Sequence, residues 1–452
     1  MFDTNTTEQL RQQLQNGNFT LFRKEIVEYN EVDIAAFLEE LEDHLLIRVF
    51  RLLPKDLSTD VFSYLTPTAQ EKIVEAISAA ETSELIEQLY LDDAVDFLEE
   101  VPAGIVKKVL AAATPDTRKL INRFMDYPEN SAGSITTVEY VELKVTMTAK
   151  EALGVVRSTG VDKETVYTLY VIDASRHLLG TVALRSVIMA NDDDSVSAIM
   201  EDNFIYAQTL EDQESVAQKV RRYDLLSIPV VDNEMRLIGI ITADDVIDVI
   251  QQENTEDFQV MAAITPTEEP YLHSSVLRIA KSRVVWLLIL MISATFTGMI
   301  ISNYSDLLST AVVLASFIPM LMDTGGNCGS QTAVVIIRSM ALGELNTRDI
   351  GIVLWKEFRV SIVVGLVLSV VNFARIMLFS PGVSVNVPTA LVVCASLFIT
   401  VVLAKSIGAL LPILAKMCKL DPAIMAGPLI TTIVDALSLI IFFNISVAVL
   451  GL

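Results

Sequence analysis

Five long apolar runs fill the C-terminal part of the chain, at residues 284–302, 309–337, 360–379, 389–414 and 423–450. A helix of about 20 apolar residues spans the hydrocarbon core of a bilayer, so the sequence predicts a multi-pass membrane domain. Basic residues are concentrated in two of the intervening loops, at 338–359 and 415–422. The positive-inside rule places these loops and the N-terminus in the cytosol. Five spans then leave the C-terminus outside.

Charge divides the chain at the start of these runs. Residues 1–283 carry 50 acidic and 25 basic residues, whereas the remainder carries 7 acidic and 8 basic residues. Binding to nucleic acid requires a basic face, so the balance argues against nucleic acid as a partner and favours divalent cations. The polar N-terminus has no signal-peptide pattern, and we expect the acidic half to stay in the cytosol.

The first 130 residues show the periodicity of helices. From Glu31 to Asp126 apolar residues recur at intervals of three and four, which indicates short amphipathic helices. An all-α superhelical domain is therefore predicted over residues 1–130. Asp92 and Asp96 lie at positions i and i+4 on one helix face. Carboxylates at this spacing repel each other, so the face is either a solvated surface or a site that a cation would favour.

An internal repeat with a spacing of 59 residues occupies residues 131–250. The copies are VIDASRHLLGTVALRSVI, from Val171 to Ile188, and VVDNEMRLIGIITADDVI, from Val230 to Ile247. Each predicts strand, turn, strand and helix start, a pattern that resembles a tandem pair of CBS domains. Many CBS modules bind adenine nucleotides through a Ser or Thr and an Asp after the last strand. The resemblance thus makes Thr242 and Asp245 candidates for ATP binding, with a helix cap by Thr242 as the alternative.

Polar residues interrupt the second and fifth apolar runs. IPMLMDTGGNCGSQ, from Ile318 to Gln331, places an acid, two amides and three glycines inside the second run, and AGPLITTIVD, from Ala426 to Asp435, lies in the fifth. A carboxylate at membrane depth costs roughly 2.5–3.5 kcal/mol on insertion scales. Asp435 therefore either marks an ion path or pairs with Lys405 or Arg375 to hold the bundle.

The oxygen atoms near Asp435 suit a hard cation. The hydroxyls of Thr431 and Thr432 precede it by one turn, and Gly427-Pro428 can free backbone carbonyls. Mg²⁺ prefers such oxygen ligands and keeps several waters. The sequence has no His or Cys cluster for Zn²⁺ or Cu⁺, and no constellation of catalytic His, Cys or Ser residues, so the chain is not expected to be an enzyme.

The order of parts and three motifs resemble the MgtE family of bacterial magnesium channels. The motifs are IPMLMDTGGNCGSQT, RSMALGEL and DPAIMAGPLITTIVDA. The resemblance implies a multidomain integral membrane protein with four parts. These are the helical domain (1–130), an α/β tandem CBS module (131–250), a connecting plug helix (251–283) and a five-helix transmembrane domain (284–452). It also implies a homodimer in the inner (plasma) membrane, with the pore at the dimer axis.

The family resemblance also implies roles for individual residues. The second and fifth spans line the pore, where Asp435 would bind hydrated Mg²⁺, Asn327 would line the path and Gly427 would contribute backbone. Asp323 is expected close to the cytosolic half of this path. Intracellular Mg²⁺ would close the pore by bridging acids at Asp92, Asp96, Asp224, Asp245, Asp248, Glu253, Glu256 and Asp257. We therefore expect a Mg²⁺-selective channel, with an ion-coupled secondary transporter as the alternative.

Overall fold

The computed structural model describes residues 4–267, 271, 274–379 and 386–450. The chain divides into two compact units, Met1–Gln251 and Gln252–Leu452. Ten short helices open the first unit. They are α1 (Thr4–Gln15), α2 (Phe19–Ile26), α3 (Glu31–Glu39), α4 (Asp43–Phe50), α5 (Lys55–Ser63), α6 (Pro67–Ala76), α7 (Ala79–Gln88), α8 (Leu91–Glu100), α9 (Ala103–Ala112) and α10 (Pro115–Phe124).

Local signals explain where these helices begin and how they pack. Ser78 accepts a hydrogen bond from the Glu81 N–H while the Glu81 side chain accepts one from the Ser78 N–H, which is a capping box at the start of α7. The apolar faces of the helices share one core. Within it the rings of Phe62 and Phe97 meet edge to face, with their centroids 5.2 Å apart. The short helices therefore stack as the apolar periodicity predicts.

Two small sheets with the same topology follow. Their elements are β1 (Glu142–Lys144), α11 (Ala149–Thr159), β2 (Thr168–Ile172), β3 (Leu178–Ala183), α12 (Leu184–Met189), α13 (Val196–Ile199), β4 (Ala207–Gln208), α14 (Gln213–Tyr223), β5 (Ser227–Val231), β6 (Leu237–Thr242) and α15 (Ala243–Met261). In each sheet a parallel strand pairs with the first strand of an antiparallel hairpin.

The register of the two hairpins repeats as the sequence does. Val171 pairs with Gly180 in the first hairpin, and Val230 pairs with Gly239 in the second, each followed by a register shift. Both pairs are related by the spacing of 59 residues. The internal repeat therefore preserves the pairing of individual residues as well as the order of strands.

The second unit is helical after the end of α15. Its helices are α16 (Val276–Asn303), α17 (Ser305–Thr310), α18 (Val312–Ala315), α19 (Ile318–Ala341), α20 (Ile350–Phe379), α21 (Val387–Met417) and α22 (Gly427–Leu450). Short 3-10 turns at Thr347–Asp349 and Pro422–Met425 precede α20 and α22.

Within the described residues, four segments are long and apolar enough to cross a membrane. They are Val276–Asn303, Thr347–Leu378, Val387–Met417 and Pro422–Leu450. Helix α19 has 24 residues but carries the polar stretch, and the run predicted at 309–337 starts with the short helices α17 and α18. Residues 380–385, between the third and fourth predicted runs, lie outside the described residues.

Helix α19 packs against α21 and α22. Its contact with α21 depends on two glycines, because a Cβ added at Gly408 would lie 2.3 Å from the carbonyl oxygen of Gly329. By contrast, large apolar side chains of α16 and α20, such as Leu287 and Val363, are exposed. An exposed apolar surface of this kind is suited to lipid.

Candidate functional site

Three acids from separate parts of the first unit meet at the start of α8. Asp92 of α8, Glu164 of the segment before β2 and Asp245 of α15 each offer a carboxylate oxygen within 4.8 Å of the other two. Asp92 and Asp245 were among the predicted acids, whereas Glu164 was not. No local pattern could have identified Glu164, because it lies in an irregular segment and reaches the group only through the fold.

Burial and mutual repulsion disfavour the ionised forms of these acids. Burial first, and then the charge of Asp245, raises the pKa of Glu164 to about 8. The pKa of Asp92 is also well above its ordinary value, mainly through burial and then through Glu164 and Asp245. On the same helix, burial and neighbouring acids raise the pKa values of Asp93 and Asp96 to about 7. Burial and mutual repulsion therefore favour the uptake of protons, or of another cation, by the cluster near neutral pH.

Two oxygen atoms of this cluster have no hydrogen-bond partner. Asp92 Oδ1 and Glu164 Oε2 are both buried and unsatisfied among the described residues. Buried polar atoms are normally paired, and an unsatisfied one calls for an explanation such as a bound ion. Convergent carboxylate oxygens are the ligands that Mg²⁺ accepts, so the residues present fit this ion.

The other predicted regulatory acids lie around this cluster or apart from it. Asp248 follows Asp245 by one turn of α15, and burial followed by the charge of Asp244 raises its pKa. Asp224 ends α14 in a left-handed conformation (φ 51°) and is exposed. Glu253, Glu256 and Asp257 lie further along α15, in the second unit. The structure therefore unites only some of the predicted acids.

Thr242 and Asp245, the candidate nucleotide-binding pair, bind each other. The Thr242 hydroxyl donates to Asp245 Oδ2 at 2.5 Å, and the Thr242 backbone N–H donates to the same oxygen at 3.2 Å. The backbone bond is one arm of a capping box at the start of α15. A role in helix capping is thus visible for this pair, next to the acids Asp92 and Glu164.

In the second unit, helix α19 presents one polar stripe. Asp323, Asn327 and Gln331 are exposed and lie four residues apart, on one face of the helix. The glycines between them lie on the packed side, where a Cβ at Gly326 would come within 3.2 Å of Thr431 Cβ. We call Asp323, Asn327 and Gln331 the polar stripe.

The antiparallel register of α19 and α22 brings two carboxylates to the same level. The Ser330 hydroxyl donates to the Gly427 carbonyl at 3.5 Å, and Gly326 lies against Thr431. Asp323 lies one turn before Gly326 on α19, and Asp435 lies one turn after Thr431 on α22. Asp323 therefore lies away from the Gly427 end. Its expected position in the cytosolic half of the path stays a prediction.

Neither predicted partner of Asp435 binds it. The Lys405 ammonium is buried, 3.9 Å from Glu357 Oε2 and 3.2 Å from the Thr332 hydroxyl. The Arg375 guanidinium donates instead to Asn372 Oδ1. Within the part of the chain that the structure describes, Asp435 has no hydrogen bond or ion pair. Pairing with Lys405 or Arg375 therefore does not explain this carboxylate.

The start of α22 differs in detail from the predicted open backbone. Both threonine hydroxyls, of Thr431 and Thr432, donate to the Pro428 carbonyl at 2.8 and 2.9 Å. The Pro428 carbonyl therefore already accepts two side-chain hydrogen bonds. Gly427 has a positive φ of 44°, and a Cβ there would lie 2.6 Å from the carbonyl oxygen of Met261, the last residue of α15.

Comparison with known proteins identifies the parts of the chain. A family model described as "Divalent cation transporter" (MgtE) matches residues 318–445. The model of the MgtE intracellular N domain matches residues 29–130, and that of the CBS domain matches residues 196–252. These matches cover most of the helical domain, the second repeat, and the helices from α19 to α22, including the polar stripe.

Whole proteins and solved structures agree with these matches. The chain is 34% identical to the magnesium transporter MgtE of Thermus thermophilus, over 97% of each chain. It is also 34% identical to that of Bacillus subtilis, over 96% of this chain and 95% of the relative. A crystal structure of the cytosolic domain of the Mg²⁺ channel MgtE in complex with ATP aligns with a TM-score of 0.51 and 35% identity. The alignment covers 54% of this chain and 99% of that chain. The chain therefore belongs to the MgtE family of magnesium transporters, which are not enzymes.

Proposed function

We propose that the chain is a Mg²⁺-selective channel for uptake across the bacterial inner (plasma) membrane, with a cytoplasmic N-terminus and an outer C-terminus. One observation carries this proposal. A carboxylate without a partner among the described residues, Asp435, lies at the level of Asp323 beside the polar stripe of α19, in one of the apolar helices. Unpaired acids at membrane depth mark ion pathways. Helix α19 then acts as a fifth span, whose glycine face packs against α21 and α22.

The exposure of the polar stripe supports a dimer. Asp323, Asn327 and Gln331 are uncovered in a single chain, and an exposed polar stripe facing lipid would be costly. A second copy facing it would enclose the stripe around a common axis. The pore would then lie at the axis of a homodimer, lined by Asn327 and Asp435, with Thr431, Thr432 and the Gly427 backbone nearer the entrance at the connecting helix.

Replacing Asp435 by Asn, which removes the negative charge but keeps the shape of the side chain, tests this function. We expect Asp435→Asn to abolish Mg²⁺ flux into proteoliposomes, because the hydrated ion loses the negative charge that holds it in the path. Asp306→Asn, at an exposed position of α17, is the matched control and should retain flux. Normal flux through Asp435→Asn would remove this residue from the path. Single-channel currents would support a channel, whereas a strict requirement for a proton gradient would support the secondary transporter.

The acid cluster of the first unit supports regulation by intracellular Mg²⁺. We infer that Mg²⁺ bridges Asp92, Glu164 and Asp245 and so ties the helical domain to the repeats. Without the ion the buried carboxylates repel one another. The same role is proposed for the remaining acids, Asp96, Asp224, Asp248, Glu253, Glu256 and Asp257. Replacement of Asp92 and Asp245 together by Asn should leave flux open at high internal Mg²⁺, and preserved shut-off would place the sensor elsewhere.

Helix α15 offers the connection between the sensor and the pore. It carries Asp245 in its first turn and ends at Met261, whose carbonyl oxygen lies against Gly427. We propose that this end is the plug that closes the entrance next to α22. When Mg²⁺ is scarce, the acids would lose the bridging ion, and the plug would withdraw from the entrance.

ATP binding remains part of the proposal because the cytosolic domain of a relative was solved in complex with ATP. At Thr242 and Asp245, polyphosphate would meet the acids Asp92 and Glu164. Like charges of this kind repel, so we expect ATP to bind there only when Mg²⁺ neutralises the cluster. Titration of ATP with and without Mg²⁺ tests this. Equal affinity for ATP with and without Mg²⁺ would exclude Thr242 and Asp245 as the ATP site.

A further inference from the structure

A cleft with basic walls lies in the first unit, where the helical domain meets both repeats. It has a volume of about 670 Å³, which is within the range of small-molecule sites. Helix α10 contributes Arg123, the segment after α11 contributes Lys163, and the two hairpin turns contribute Arg176 and Arg236. Four cations therefore converge in a half of the chain where acids outnumber bases two to one.

Acids compensate these cations only in part. Arg176 lies 3.2 Å from Glu142 and donates a hydrogen bond to Tyr140 Oη at 2.6 Å. Arg236 pairs with Glu234, its neighbour in the turn. Among the described residues, neither Arg123 nor Lys163 lies within ion-pair distance of a carboxylate, although Asp232 also lines the cleft. The walls therefore carry uncompensated positive charge.

The two hairpin turns hold their arginines in fixed positions. Arg176 and Met235 occupy equivalent places in the turns, both with positive φ, at 67° and 62°. The turns also bind each other, since the Leu237 N–H donates to the Arg176 carbonyl and the Leu178 N–H donates to the Met235 carbonyl, both at 2.9 Å. A preorganised pair of turns lowers the entropic cost of binding a ligand between them.

We propose that this cleft binds a phosphorylated small molecule. Arginine side chains recognise phosphate with paired, charge-assisted hydrogen bonds, and the Phe124 and Leu120 side chains provide an apolar wall for an organic group. The lining includes neither Thr242 nor Asp245, so the site is separate from the nucleotide position considered above. Because Arg123, Arg176 and Arg236 belong to the helical domain and to the two repeats, a bound phosphate would join all three.

Calorimetric titration of the full-length protein in Mg²⁺-free buffer tests the site. The probes are ATP, pyrophosphate and inorganic phosphate. We expect the double variant Arg123→Ala/Lys163→Ala to bind its best probe at least about tenfold more weakly, because each lost charge-assisted contact is worth about that factor. Tighter binding of ATP than of pyrophosphate would support an organic phosphate, and equal binding would support a free polyphosphate. The measurement requires no flux, so it is independent of the proposed channel.

Two controls keep the result specific. Lys119→Ala removes a cation from α10 that does not line the cleft and should leave the affinity unchanged. Arg123→Lys/Lys163→Arg keeps both charges and should retain most of the binding. Unchanged affinity in the double alanine variant, or no binding of any probe at millimolar concentration, would overturn the proposal. Loss of ATP binding in Thr242→Ala but not in the double variant would overturn it as well.

Discussion

The carbonyl oxygen of Met261 lies 2.6 Å from the position that a Cβ atom would take at Gly427. The last residue of α15 thus touches the first residue of α22 at a site where no side chain fits. Gly427 also has a positive φ of 44°, which glycine adopts readily. Contact and backbone conformation together require glycine here.

Replacement of Gly427 by Ala should therefore weaken closure by Mg²⁺. The added methyl group would displace the end of α15, and overpacking of this kind costs about 1–3 kcal/mol. We expect the internal Mg²⁺ concentration that halves the flux to rise by roughly tenfold, measured in proteoliposomes over a range of internal Mg²⁺. Gly343→Ala is the matched control, because Gly343 also has a positive φ (71°) but no neighbour within 4 Å. An equal effect in both variants would indicate backbone strain rather than lost contact.

Asp323 should contribute to ion entry less strongly than Asp435. It is exposed, so water screens its charge, but it lies level with Asp435 on the facing helix. We expect Asp323→Asn to reduce the initial rate of Mg²⁺ uptake at low external Mg²⁺ by roughly three- to tenfold, the effect of about 1 kcal/mol of lost attraction. High salt should shrink the difference. A rate equal to that of the unmodified protein would assign Asp323 no role in the path.

The buried pair of Lys405 and Glu357 should matter for stability rather than for selectivity. Their side chains are 9% and 16% exposed, with the charged atoms 3.9 Å apart. Lys405→Met alone would leave a partly buried carboxylate and should cost about 3 kcal/mol. Adding Glu357→Gln should recover most of this loss, as measured by thermal unfolding in detergent. Additive losses in the double variant would show that the two groups are not coupled.

The acid cluster predicts a specific dependence on pH. Folding raises the pKa values of Asp93, Asp96 and Glu164 to about 7, 7 and 8. Between about pH 4 and 8 the folded state therefore binds protons that the unfolded state has released. Without Mg²⁺, the stability of the first unit should fall as the pH rises through this range.

Mg²⁺ should reverse this trend because it binds the ionised carboxylates. We expect the rise in Tm caused by millimolar Mg²⁺ to be larger at pH 8 than at pH 6 in the full-length protein. In Glu164→Gln the difference between the two pH values should be smaller, since one titrating group is gone. A Tm shift independent of pH would contradict a site built on these acids.

The sequence was most informative where a pattern repeats. The spacing of 59 residues preserves the pairing of Thr168 with Ala183 and of Ser227 with Thr242, because side-chain alternation fixes the register of a strand. The helical periodicity of the first 130 residues predicted the short helices, and the motifs of α19 and α22 predicted the family. The family prediction made from these features is confirmed by the comparisons.

Contacts between distant segments could not be predicted in the same way. Glu164 joins Asp92 and Asp245 only because the fold brings an irregular segment to α8. Likewise, the sequence suggested that Lys405 pairs with Asp435, but the packing of α21 against α19 and α20 brings Lys405 to Thr332 and Glu357 instead. In both cases tertiary packing decided which charges meet, and a single sequence does not report contacts between distant side chains.

The polarity of α19 also has a consequence for biogenesis. This helix does not reach the hydropathy of the four candidate spans, so a translocon would release it into lipid poorly on its own. Its glycine face packs against α21 and α22, which are synthesised later. We therefore expect Ile318–Ala341 to settle in the bilayer only after the ribosome has delivered both partners, so that truncation before α21 would yield a protein with the wrong topology.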